Sequence, residues 1–201
     1  MKKCISVIMM VLFVTAACSG CGQKMQTRSI QEDLLFDAGS LEELEDLSKQ
    51  IVQGKFRDDA KEDLQGDGNK TFYGVTVSSF EITKVYKGDF EVGDVIKVGE
   101  EYNIDASDGQ KTLVHFGNYL PSEVGKEYLM FFDNPPEHSE RWKDTYTPIC
   151  SEKGRYPVVA PGTVSEADVD NMTNEELNLD TGDSTFYRQL YKDVIEKYMN
   201  G

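Results

Sequence analysis

From residue 72 to 98 the chain reads FYGVTVSSFEITKVYKGDFEVGDVIKV, with apolar and polar residues alternating at the period of a half-buried strand. The apolar residues take odd positions at Tyr73, Val75 and Val77, then even ones at Phe80 and Ile82, so the phase changes across Ser78-Ser79. A bulge at that pair predicts one long strand with Val77 and Phe80 both turned into the core. A strand that changes its inward face can serve two sheets, as a small closed or partly open barrel requires. Lys87-Gly88-Asp89 and Val92-Gly93-Asp94 mark the turn into the next strand, where Ile96, Val98, Tyr102 and Ile104 share a parity.

The flanking segments supply the rest of the barrel. Ser40-x-x-Glu43 is a capping-box pattern, and Leu41, Leu44 and Leu47 line one face of a helix ending near Ser48. Residues 49–56, KQIVQGKF, predict a strand with Gly54 at a bulge. Residues 57–70 are acidic, nearly free of apolar side chains, and predict only a turn into the central strand. Downstream, 111–116 is a short strand and 118–125 a connector. The run EYLMFF, 127–132, is apolar on both faces and predicts a fully buried strand. After a long loop over 133–143, segments 145–150 and 155–160 read as a closing strand pair turning at Glu152-Lys153-Gly154, with Pro157 at an edge.

Beyond Pro161-Gly162 the pattern becomes helical, with turns at 165–170 and 173–177. A final helix, capped by Asp183 or Ser184, presents Phe186, Tyr187, Leu190, Tyr191, Val194, Ile195 and Tyr198 as a wide apolar face that packs on the barrel. The expected fold is mainly β with flanking helices: a small barrel of five to six strands plus a carboxyl-terminal helix. The expected divisions are 1–17 as a leader, 18–39 as a flexible tether, 40–160 as the barrel, and 161–201 as an acidic linker with the packed helix.

The leader changes the picture from fold to location. Met1-Lys2-Lys3 is a short basic region, 5–14 an apolar run, and Thr15-Ala16-Ala17-Cys18 a small-residue cleavage site ending in cysteine. The apolar run is too short to cross ~30 Å of hydrocarbon as a helix. The pattern resembles a bacterial lipoprotein signal. That resemblance implies signal-peptide cleavage before Cys18 after diacylglyceryl transfer to its thiol, a palmitate-type anchor, and a chain held by lipid at the extracytoplasmic face of the cell membrane. Cys21, after Ser19-Gly20, is the alternative acceptor. Residues 30–36 read equally as part of a disordered tether or as a short amphipathic turn. In an exported chain Cys21 and Cys150 can pair, or Cys150 can stay a lone buried thiol.

A second resemblance rests on the order of the segments. Residues 41–44, 51–55, 75–88, 92–98 and 124–132 follow one another as in a family of bacterial exported proteins whose oligonucleotide/oligosaccharide-binding (OB) barrel is similar to the inhibitory domain of tissue inhibitors of metalloproteinases. The resemblance spans roughly 40–159 and implies an OB-like barrel. Protease inhibition is the function that the resemblance implies most directly, but the family's mechanism argues against its transfer. In that family a free amino-terminal cysteine binds zinc on a disulfide-held barrel, whereas here the terminal cysteine is expected to be acylated and set back from the barrel.

Charge and chemistry narrow the function classes. Asp and Glu number 36 against 21 Lys and Arg, a formal −15, and the leader removes two lysines and no acid. Nucleic acid is not an expected partner, since the basic residues are scattered among acids rather than gathered on one face. Asp63, Gln65 and Asp67 alternate as in a calcium loop, but the twelfth position, which should hold a bidentate Glu, is Gly74. His115 sits alone on a strand. His138 lies in a proline-stiffened loop with no second histidine nearby. No GxSxG, HExxH or phosphate-binding glycine loop occurs. We therefore expect no catalytic residue, metal or cofactor, and a non-catalytic envelope module that binds a protein, peptide or glycan. The loop aromatics Tyr119, Trp142 and Tyr146 are its candidate contacts. A protease inhibitor is the alternative by fold analogy, and an envelope hydrolase the third reading.

Overall fold

The computed structural model describes residues 25–30, 37–66, 71–106 and 109–200. It is mainly β, with a curled half-barrel sheet and a carboxyl-terminal helix. Its strands are β1 (Gln26–Ile30), β2 (Gln50–Phe56), β3 (Lys61–Gly66), β4 (Thr71–Lys87), β5 (Val95–Glu100), β6 (Tyr102–Asp105), β7 (Thr112–Phe116), β8 (Glu127–Phe132), β9 (Thr145–Tyr146) and β10 (Arg155–Pro157). The helices are α1 (Leu41–Leu47), α2 (Glu166–Asn171) and α3 (Thr185–Val194), the last continuing as a π-helical turn through Ile195–Met199.

The main sheet runs β10-β8-β2-β4-β5-β9, with β3 added against the first half of β4. At 17 residues, β4 spans roughly 55 Å and is the spine, pairing successively with β3, β5 and β2. β9 joins β5 in parallel, and a bridge from Pro148 back to Phe132 at the end of β8 curls the sheet round on itself. Val52, Phe56, Phe80, Ile82, Val98, Tyr128, Met130 and Phe132 fill the concave side. Edge-to-face contacts there include Phe56 with Phe80 at 4.9 Å.

The phase change in β4 lies elsewhere than the pattern predicts. Pairing with β5 is unbroken from Thr76 to Glu81, so Ser78-Ser79 is regular strand, with Ser78 buried and Val77 only half-buried. The register slips are against β2, where Thr83 and Tyr86 have no partner. The slip at Thr83 lets Val85 follow Ile82 into the concave core, while Tyr86 joins the convex one. Gly54 lies at this slip, as expected. A Cβ there would sit 2.3 Å from the Glu81 carbonyl oxygen and 2.5 Å from the Phe80 ring, so the two strands approach as closely as they do because the residue is glycine.

β8 is buried on both faces, as its composition predicts: Tyr128, Met130 and Phe132 point into the curl, Leu129 and Phe131 out of it. The convex face, with Ile51 and Tyr156, is covered by Leu41 and Leu44 of α1 and by Tyr187, Leu190, Tyr191 and Val194 of α3, with Ile195 and Met199 beyond. Phe186, assigned to this face from the sequence, is 41% exposed instead. Ser40 caps α1 through the Glu43 amide, but the Glu43 carboxylate accepts from Gly39 N rather than Ser40 N, one residue off a reciprocal box.

Three further expectations are corrected. The acidic stretch 57–70 contains a strand, β3, because a ribbon paired to one neighbour needs backbone partners more than apolar side chains. The tether expected at 18–39 contains β1, a strand with all five residues exposed that pairs in parallel with β7 in a small β1-β7-β6 sheet. Segments 145–150 and 155–160 do not pair with each other: β9 joins β5 and β10 joins β8, with a 3-10 turn over Ser151–Gly154 between them. The leader, Cys18 and Cys21 lie outside the described residues.

Candidate functional site

The structure separates the three aromatics nominated from the sequence. Tyr119 is fully buried; its hydroxyl donates to Glu100 Oε1 at 2.9 Å and its ring lies 3.9 Å from the Arg155 guanidinium. It is interior packing and is withdrawn as a surface contact. Tyr146 is half-buried between Phe90 and Phe132, at 5.2 and 5.7 Å between ring centroids. Trp142 is half-buried beside Arg141, whose guanidinium is 5.6 Å from the ring and pairs with Asp63 on β3. That pairing also occupies the first residue of the calcium-like pattern.

The buried polar groups serve to join elements. Arg155 on β10 donates through Nη1 to Glu100 Oε1, Leu120 O and Ser122 Oγ, and through Nη2 to Asn178 O, at 2.6 to 3.3 Å. Both charges are buried. Tyr128 donates to Asn178 Oδ1 at 2.8 Å, and Tyr187 of α3 to Arg155 O at 2.8 Å. This cluster clasps β5, β8 and β10 to the segment leading into α3. Burial pushes the Tyr119 phenol well above its ordinary range and that of Tyr128 up to about 12. His115 is also fully buried, its Nε2 3.1 Å from Asp180 Oδ2. His138 is exposed. Among the described residues no group of three or more His, Cys, Asp or Glu is placed to hold a metal ion, and no helix is long and apolar enough to cross a membrane.

A groove of about 450 Å³ opens on the convex side, lined by Asp37, Ala38, Gly39, Glu152, Lys153, Asp183, Phe186 and Tyr187. Three separate segments build it: the residues leading into α1, the 3-10 turn before β10, and the start of α3. The left-handed backbone of Cys150 and Ser151, at φ 55° and 53°, sets the course of the chain into that 3-10 turn. Lys153 extends across the groove, its Nζ paired with Asp37 and 4.6 Å from the centre of the Phe186 ring. Asp183 accepts from Thr185 N at 2.9 Å and Thr185 Oγ1 at 2.7 Å, bonds that hold its carboxyl below the usual range. No family model, curated protein or solved structure matches the chain. The groove thus stands on its own geometry. Sequence reasoning missed it because Asp37 and Lys153 are 116 residues apart, and an alternating or helical pattern carries no signal for such a meeting.

Proposed function

We propose that the chain is a non-catalytic binding or assembly module of the cell envelope, held at the extracytoplasmic face of the membrane by a lipid on Cys18. The observation that carries this reading is the amino-terminal pattern: a short basic start, an apolar run, and small residues ending at Cys18. Gln26, where β1 begins, is eight Cα-to-Cα steps from Cys18, a reach of at most about 28 Å, so the anchor keeps the domain close to the bilayer. The curled sheet belongs, in this reading, to the OB type. A module role is supported by the contrast between buried polar groups that are consumed in joining strands and a surface groove that carries charge and an exposed ring.

Expression in a bacterial host with fractionation and metabolic labelling by a fatty acid tests the anchor. Cys18→Ser is expected to leave an unlabelled precursor, whereas Cys21→Ser is processed and labelled normally. Normal labelling of Cys18→Ser and its loss in Cys21→Ser would transfer the anchor to Cys21. Loss in neither removes the lipoprotein reading.

A further inference from the structure

Lys153 occupies its groove in the way a bound cation would. Its ammonium rests against the face of Phe186, a ring left 41% exposed although every other large apolar side chain named on that helix is buried or half-buried. Asp37 neutralises it, and Asp37 is itself 58% exposed at the side chain. Glu152 and Asp183 line the same cavity, so its wall is acidic beyond Asp37. Asp183 accepts two bonds from Thr185, which hold its carboxyl below the usual range. An aromatic face with carboxylates around it attracts ammonium and guanidinium groups, and it gains most from those it desolvates.

We propose that this groove is a docking site for a basic side chain, arginine or lysine, of a partner polypeptide, with Lys153 as an internal placeholder that the incoming group displaces. The proposal rests on the reading of the chain as a binding module and names the partner chemistry for it. Three things select a polypeptide cation. The groove has room beside Lys153, at about 450 Å³. It opens to the surface through Phe186 and Asp37. The whole chain, at a formal −15, draws basic partners toward it through its long-range field. On displacement, the Lys153 ammonium swings into water on its flexible stem while the incoming group takes over the Phe186 face and the Asp37 carboxylate.

The test is fluorescence anisotropy of a labelled, end-blocked tri-arginine peptide with the full-length protein in a non-ionic detergent. Lys153→Met removes the placeholder and is expected to tighten binding about 3- to 10-fold. Lys143→Met makes the same change in net charge on an exposed lysine outside the groove, and is expected to alter binding less than about twofold. Phe186→Leu and Asp37→Asn, both at exposed positions, are expected to weaken binding threefold or more, by order of magnitude, with unchanged melting. Equal effects of Lys153→Met and Lys143→Met would show unspecific attraction and overturn the groove assignment. So would wild-type affinity in Phe186→Leu. Absence of binding in both wild type and Lys153→Met overturns the ligand class, while the Cys18 labelling result is untouched and still decides the anchoring.

Discussion

Replacing Arg155 by methionine tests the claim that the buried clasp holds the half-barrel to its carboxyl-terminal cover. Methionine keeps an unbranched apolar stem but removes the charge and four hydrogen bonds, to Glu100, Leu120 O, Ser122 Oγ and Asn178 O. Glu100, 1% exposed, then loses its counter-charge. Breaking one side of a buried pair costs ~3 to 5 kcal/mol. Tyr119 and Ser122 N still donate to Glu100, which places the expected loss near the lower end, about 3 kcal/mol. That is a large part of the ~5 to 15 kcal/mol that holds a domain folded. Glu100→Gln alone strands the arginine charge and is expected to cost a similar amount. The double variant removes both charges and is expected to be more stable than the sum of the single losses allows, by at least ~1 kcal/mol. It stays below wild type, because the Leu120 carbonyl loses the arginine donor and the Asn178 carbonyl keeps only the Leu120 amide. Urea unfolding followed by far-ultraviolet circular dichroism measures all four proteins. An Arg155→Met loss under ~1 kcal/mol, or additive losses in the double variant, would refute the clasp.

Gly54→Ala sets two effects of opposite sign against each other: relief of glycine's chain entropy, ~0.5 to 1 kcal/mol in favour, and a Cβ placed 2.3 Å from a backbone oxygen that cannot rotate away. Overpacking is expected to win by ~1 to 3 kcal/mol, and a raised melting temperature would contradict it. Burial lifts the Tyr102 and Tyr128 phenols to about 12, above the ordinary 10. Their folded values exceed their unfolded ones, so their contribution is complete below pH 10 and is lost as pH rises through 10 to 12. Phenolate absorbance and loss of circular dichroism should therefore rise together in that window; early titration of these tyrosines within an intact fold would be contrary evidence. Ending the chain before Ser184 strips Tyr187, Leu190, Tyr191, Val194, Ile195 and Met199 from the convex face, at ~1.5 to 3 kcal/mol each as an upper range. Cooperative melting should disappear and a dye for apolar surface should bind; an unchanged melt would show that α3 is dispensable.

What was legible in the sequence was whatever a single segment can encode. β2 and β8 read clearly, because Gly54 and the doubly apolar EYLMFF constrain their own surroundings, as did the buried face of α3 apart from Phe186. β3 and β1 escaped, because each is held by backbone pairing, β3 to the adjoining β4 and β1 to the far-off β7, and carries no apolar alternation of its own. Ser78-Ser79 misled for a related reason: a small polar residue can face the core, so a pause in apolar residues is not a break in strand geometry. The slip at Thr83 leaves no mark in composition. Of the nominated contacts, Tyr119 belonged to a clasp whose other members, Glu100, Arg155 and Asn178, carry no sign of burial when read one at a time. The groove is made of three chain segments and was invisible to any window.

The covering of the convex face by residues 187–199 also fixes a timetable. A chain delivered amino end first, during synthesis or passage through a membrane, completes β2, β4, β5 and β8 while Leu129, Phe131 and Tyr156 still lack their cover. For the last forty or so residues of delivery that face has only Leu41 and Leu44 of α1 over it, the condition of exposed apolar surface in which partly folded chains adhere to one another. The final helix therefore acts as a release signal: until its last turn arrives, the molecule remains a client for whatever holds unfinished chains apart.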